Sequence, residues 1–118
     1  MAIGIHHVHV KTRDTKQTLQ FYVENLGATL IADRGAQGYQ VTLAGLQINI
    51  TPIIESQKRE QHYGIEHIAV DTDDYAGTMA KFRANGARVL EELPATNGRR
   101  VGFVEAPDGA QIEVIERV

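Results

Sequence analysis

Cysteine and tryptophan are absent from the 118 residues, and proline occurs only three times. Serine occurs once, at Ser56. Without cysteine the chain can form no disulfide, zinc–thiolate site or thiol nucleophile, so any metal must rest on imidazole, carboxylate, amide or water ligands. A lone serine leaves no Gly-x-Ser-x-Gly elbow, and no strand–GxxxxGK[ST]–helix segment is present. Serine hydrolysis and P-loop phosphate binding are therefore not expected. No apolar run approaches bilayer length, and no basic stretch followed by an apolar one precedes the first predicted strand. A cytoplasmic protein without a membrane partner is the expectation. The basic residues are scattered and the formal net charge is −3, which argues against nucleic acid as a partner.

What is present is ordinary in amount and unusual in arrangement. A hydrophobic fraction of 42% in a chain of this length supports one domain with a real core. Residues Ile5 to Asp14 laid over Ile65 to Asp74 match at Ile5/Ile65, His7/His67, Val10/Val70, Thr12/Thr72 and Asp14/Asp74. A second match sets Gly45-Leu46-Gln47-Ile48-Asn49-Ile50 over Gly109-Ala110-Gln111-Ile112-Glu113-Val114, with Asn49 opposite Glu113. The halves also share the steps Gly27-Ala28 and Gly86-Ala87. The chain reads as a tandem duplication about a polar middle segment, Pro52 to Tyr63.

Each half has the same grammar. A strand from Ile3 to Lys11 leads to helix-capping residues at Thr12 to Thr15. Leu19, Tyr22, Val23 and Leu26 recur at helical spacing, and Gly27 stops the helix. Strands at Thr29–Asp33, Tyr39–Ala44 and Leu46–Thr51 follow. The second half predicts a strand at Ile65–Thr72 and a helix near Asp74–Asn85. Strands near Arg88–Glu92, Arg100–Glu105 and Ala110–Glu116 complete it, with Pro107-Asp108-Gly109 as the last turn. The expected unit is βαβββ, repeated twice. Phe21, Tyr22 and Phe82 read as core, Arg99-Arg100 as a solvated strand start, and Gly35, Gly38 and Gly98 as turn glycines.

Strand alternation places Ile5, His7, His9 and Lys11 on one face, Ile65, His67 and Ala69 on one face, and Gln111, Glu113 and Ile115 on one face. Polar side chains inside apolar strands need partners, because burying one unpaired costs about 1–3 kcal/mol. Taken singly, His7, His67 and Glu113 each admit a structural role. Taken together, two histidines at equivalent places in two repeats plus a carboxylate satisfy one another by meeting at one divalent cation. Iron, manganese, nickel, cobalt and zinc all suit that donor set. His6 lacks a histidine at its image and reads as structural or exposed, whereas His9 shares the face of His7 and is a candidate for lining the pocket or hydrogen-bonding a ligand residue.

The pattern His7…Asp14…Phe21-Tyr22…Leu26-Gly27, its echo His67-Ile68-Ala69-Val70…Gly86, and the closing Pro107-Asp108-Gly109-Ala110-Gln111-Ile112-Glu113 resemble the vicinal oxygen chelate superfamily. That superfamily includes glyoxalase I, fosfomycin-resistance, extradiol dioxygenase and bleomycin-resistance proteins. The resemblance spans essentially the whole chain. It implies an α+β fold of two tandem βαβββ modules, about 1–52 and 64–118 with a linker at 53–63, forming a curled mixed sheet around a metal cavity. In the family's metalloenzymes the ligands come from the first strand of each module and the last strand of one or both. Those places are His7, His67 and Glu113 here, with Asn49 at the fourth.

Glyoxalase I enzymes usually carry a glutamate at the fourth place, whereas methylmalonyl-CoA epimerases can carry a neutral amide. With Glu113 as the only carboxylate, a bound divalent ion keeps a net positive charge and favours an anionic or bidentate oxygen ligand. The resemblance thus implies a small metal-dependent lyase or isomerase of glyoxalase or epimerase type, with Glu113 as proton shuttle and a small-molecule substrate. Ring-cleaving dioxygenation and metal-free ligand binding are the alternatives. A homodimer is expected, with the metal site either within one chain or shared between two.

Overall fold

A computed structural model describes residues 2–118. The chain is α+β and runs β1 (Ile3–Lys11), α1 (Thr15–Leu26), β2 (Thr29–Asp33), β3 (Tyr39–Leu43), β4 (Leu46–Thr51), β5 (Gly64–Thr72), α2 (Tyr75–Ala84), β6 (Arg88–Thr96), β7 (Arg99–Glu105) and β8 (Gln111–Glu116). The βαβββ order therefore occurs twice, as the duplicated sequence requires. The chain divides into two compact units, one of residues 7–66 and one joining the residues up to His6 with His67–Val118. No helix among the described residues is long and apolar enough to cross a membrane.

In the unit of residues 7–66 the strand order is β2–β3–β4–β1. β3 is antiparallel to β2 and to β4, while β1 runs parallel to β4 with Val8 opposite Ile48, His9 opposite Asn49 and Lys11 opposite Thr51. Helix α1 starts where the Asp14 carboxylate accepts the Gln17 amide at 3.0 Å and the Thr12 and Thr18 hydroxyls bond at 2.8 Å. It ends at Gly27, whose left-handed φ of 73° a side chain would strain. Leu19 and Tyr22 pack on Val10, Val41, Ile48 and Ile50. Phe21 does not join them: it is 56% exposed, because its helical position points away from the sheet that Tyr22 faces. A side chain at Gly38 would stand 1.9 Å from the Ile50 carbonyl oxygen, so glycine there lets the β2–β3 connection close against β4.

The other unit repeats these devices with the order β5–β8–β7–β6. β5 is parallel to β8, and β7 is antiparallel to both β8 and β6. Asp74 caps α2 through the Gly77 amide at 3.0 Å, and Thr72 bonds Thr78 at 2.9 Å, reproducing the Asp14 and Thr12–Thr18 contacts. Tyr75, Met79, Val104 and Val114 form the core, with Phe82, Val70 and Ile112 packed against it. Strand β6 runs past the Glu92 end expected from sequence, to Thr96. Pro94 interrupts the ladder as a register shift, and pairing resumes at Thr96↔Arg99 across Asn97-Gly98, both at positive φ, the combination that a tight two-residue hairpin favours.

Two polar networks hold the periphery. Lys11 is 1% exposed, and its ammonium donates to Gln57 Oε1 at 3.0 Å and Gln61 Oε1 at 2.7 Å. It also lies 3.9 Å from the buried Glu66 carboxylate, which Arg59 approaches at 3.8 Å. The polar middle segment is thus pinned over a buried charge pair, and burial lowers the Lys11 pKa against the opposing pull of Glu66. In the other unit Arg100 grips Glu116 through two side-chain bonds, of 3.0 and 2.7 Å.

Replacing Lys11 by Ala leaves Glu66 buried without its ammonium, which should cost about 3 kcal/mol in urea unfolding and speed proteolysis between Pro52 and Tyr63. The hydrogen bonds from Arg100 hold the Glu116 pKa down to about 2, against an ordinary 4.5. A depressed carboxylate pKa adds stability above the unfolded value that is lost as pH falls through the folded one. Arg100→Leu should therefore flatten the acid limb of the stability profile between pH 4.5 and 2, measured by circular dichroism melts.

Candidate metal centre

The candidate residues fall in both units, and each half has its own geometry. In the β5/β8 half, parallel pairing sets His67 opposite Gln111 and Ala69 opposite Glu113. The alternation of the strands then turns His67, Ala69, Gln111 and Glu113 to one face, while Val70, Ile112 and Val114 face α2. His67 Nε2 stands 3.0 Å from Glu113 Oε1. The imidazole is buried, and the carboxylate keeps 14% of its side-chain surface open. The edge-to-face contact of the His67 ring with Phe103, at 5.5 Å between centroids, fixes the ring plane and keeps water from its flank.

In the β1/β4 half, His7 is 5% exposed and its ring centre lies 6.2 Å from that of His9. His9 Nε2 is 2.7 Å from Thr51 Oγ1, which orients the second ring. Asn49 is held by Gln47, whose Nε2 donates to Asn49 Oδ1 at 2.9 Å.

The registers make the two halves comparable position by position. The pair Ala69/Glu113 is the repeat image of His9/Asn49, since the first strands are offset by 60 residues and the last by 64. One repeat carries a small residue beside a carboxylate, and the other an imidazole beside a carboxamide. The first half therefore carries one carboxylate fewer and one imidazole more at the same cross-strand pair. Gln47 and Gln111 are likewise images of each other. Their identity and the spacing of Gln47 from Asn49 are visible in the sequence, and the structure adds the side-chain bond that gives Gln47 its role. Thr51 carried no sequence signal as a partner of His9.

The donor chemistry fits a divalent first-row cation. Imidazole nitrogen and carboxylate oxygen with no thiolate suit iron, manganese, cobalt, nickel or zinc, and a buried His67 paired with a carboxylate resembles a histidine prepared for ligation. Thr51→Val should shift the His9 ring resonances in a long-range proton–nitrogen spectrum of the imidazoles. Unmoved His9 signals would deny the hydroxyl its orienting part.

A sequence model of the Glyoxalase/Bleomycin resistance protein/Dioxygenase superfamily matches residues 4–114. A lactoylglutathione lyase of Haemophilus influenzae is 33% identical, the alignment covering 93% of this chain and 90% of that protein. A probable lactoylglutathione lyase of Synechocystis sp. is 31% identical, with 93% and 92% covered. Among solved structures, a hypothetical protein of Bacillus halodurans superposes with a TM-score of 0.76 at 22% identity, covering 100% of this chain and 96% of that one. A methylmalonyl-CoA epimerase of Mycobacterium tuberculosis gives 0.71 at 22% identity, with 98% and 88% covered. At that identity the two structures speak for the fold.

Proposed function

This chain belongs to the Glyoxalase/Bleomycin resistance protein/Dioxygenase superfamily, and we propose that within it the chain is a metal-dependent lyase or isomerase of small oxygenated substrates. The observation that carries the proposal is the 3.0 Å pairing of a buried imidazole, His67, with a largely buried carboxylate, Glu113, on one strand face. Near-full-length likeness to lactoylglutathione lyases supports the reaction class. The proposed ligand set is His7, His67 and Glu113, with Asn49 or His9 at a fourth place.

A divalent ion held there would act as a Lewis acid toward vicinal substrate oxygens. The residues of the chain do the rest. Glu113, on detaching from the ion, is assigned the proton. Its carboxylate takes a proton from the carbon next to a carbonyl, the bonding pair moves to the carbonyl oxygen, and the proton returns to carbon. Loss and return at the same carbon is epimerisation; where that first carbon bears a hydroxyl, return at the neighbouring carbon, with the hydroxyl proton passing to the former carbonyl oxygen, is isomerisation. His67, its ring edge-to-face with Phe103, would hold the ion beside that carboxylate. Because Asn49 is neutral where Glu113 is charged, the proposed site favours an anionic substrate, and a homodimer with one site per chain is the assembly proposed.

Metal content by inductively coupled plasma mass spectrometry tests the reading. Untagged protein should hold one divalent ion per chain after reconstitution with manganese, iron, nickel, cobalt or zinc, and His67→Ala should lose it. Glu113→Gln should fold normally and lower turnover of hemithioacetals or epimerisable acyl thioesters by about 10²–10⁴-fold. Wild-type protein that stays metal-free with every ion would refute the metalloenzyme and favour a ligand-sequestering protein. Asn49→Glu should weaken binding of an oxalate probe by about tenfold or more, through the added negative charge.

A further inference from the structure

We propose that Asn97 is a self-modification site, at which the folded chain turns its own carboxamide into a carboxylate through attack by the Gly98 backbone nitrogen. Two asparagines of the chain precede glycine, Asn85 and Asn97, and Asp108 precedes a third, Gly109. Glycine has no side chain to obstruct the approach of its nitrogen to the preceding side-chain carbonyl, so all three steps meet the steric requirement. The structure separates them by what each glycine nitrogen is already doing.

The Gly86 N–H donates to the Arg83 carbonyl at 3.0 Å where α2 ends, and the Gly109 N–H donates to the Ala106 carbonyl at 3.2 Å. Each of these nitrogens must give up a hydrogen bond before it can lose its proton and attack. Gly98 lies in the two-residue turn between β6 and β7, which the pairing of Thr96 with Arg99 closes. In such a turn the ladder bonds run between the flanking residues, so the second turn residue keeps its N–H toward solvent. None of the turn, loop and cap bonds among the described residues uses the Gly98 nitrogen. Both turn residues are exposed, so water and base reach them.

In the reaction the Gly98 amide yields its proton to solvent base, and its nitrogen bonds to Asn97 Cγ. The bond from Cγ to the side-chain nitrogen breaks, ammonia leaves and a cyclic imide remains. Water then opens either imide carbonyl, giving aspartate or its β-linked isomer, with no change of oxidation state. The hairpin tip can absorb the product. Asn97 holds a left-handed φ of 55°, a region that aspartate also tolerates. The register shift between Leu93 and Thr96 uncouples the tip from the ladder that starts at Leu93↔Val101, so an added backbone carbon in the β-linked isomer stays local. The modification adds one negative charge to the formal −3 of the chain.

Full-length folded protein, held in warm, mildly alkaline buffer and sampled by peptide mapping with tandem mass spectrometry, tests the assignment. Asn97 should convert about tenfold faster than Asn85, the factor that one hydrogen bond withheld from the attacking nitrogen supplies. In concentrated urea the bond at Gly86 is gone, and the two asparagines should convert at similar rates. Isoelectric focusing of the aged protein should show a more acidic species that comigrates with Asn97→Asp and is not formed by Asn97→Gln. Conversion of Asn85 as fast as Asn97 in the folded chain, or an equal preference for Asn97 in urea, would overturn the assignment. So would an acidic species that forms in Asn97→Gln at the wild-type rate.

Discussion

Parallel strands cannot be joined by a tight turn, and in each repeat the first and last strands are paired parallel, β1 with β4 and β5 with β8. Everything between them, a helix and two further strands, is the crossover that this pairing demands. The same ladder decides which side chains share a face. One residue of slip would turn His67 and Glu113 toward α2 and Val70 and Ile112 away from it. The apolar face under each helix pins that register, because only one setting buries Val10 with Ile48 or packs Val70 with Ile112 on the helix. The positions of the candidate ligands are thus fixed by hydrocarbon on the far side of the strands that bear them.

Strands that carry buried polar groups on the remaining face need a way to satisfy them. His67 has Glu113, His9 has Thr51, Asn49 has Gln47, and Lys11 has Gln57, Gln61 and Glu66. Among the described residues, no buried side-chain nitrogen or oxygen lacks a partner. Such networks contribute little net stability and much definition, since a buried charge or amide tolerates few alternative packings. The middle segment illustrates this: its surface is polar, yet Gln57 and Gln61 are tied to an ammonium at the end of β1.

Much of this was legible before any coordinates. Asp14 and Asp74, Thr12 and Thr72, and Gly27 announced both helices, because capping is local chemistry with a short sequence signature. His67 and Glu113 were legible through the duplication, which lifted them out of the background of ordinary strand residues. Pro94 hid the full length of β6, since a proline normally ends a ladder and here it is passed by a bulge before an Asn-Gly turn. Phe21 read as core because neighbouring aromatics look alike in one dimension, whereas only Tyr22 falls on the buried stripe. The Lys11–Glu66 pair left no trace, since nothing local links residues on two different strands. Thr51 was silent for the same reason: its role depends on register, which is settled by long-range packing, whereas the bond from Gln47 to Asn49 is local to one strand.

The exchange of Ala69/Glu113 for His9/Asn49 bears on the history of the chain. A half-length ancestor associating with a copy of itself would place the same residue at both images, so any change would occur twice. Fusing the halves releases that constraint, and each position can then drift alone. A carboxylate can be kept in one copy while the other trades it for an amide and recruits an imidazole beside it. Fusion of this kind lets net charge at such a pair be tuned by single units of charge, where a symmetric pair of subunits would be confined to steps of two.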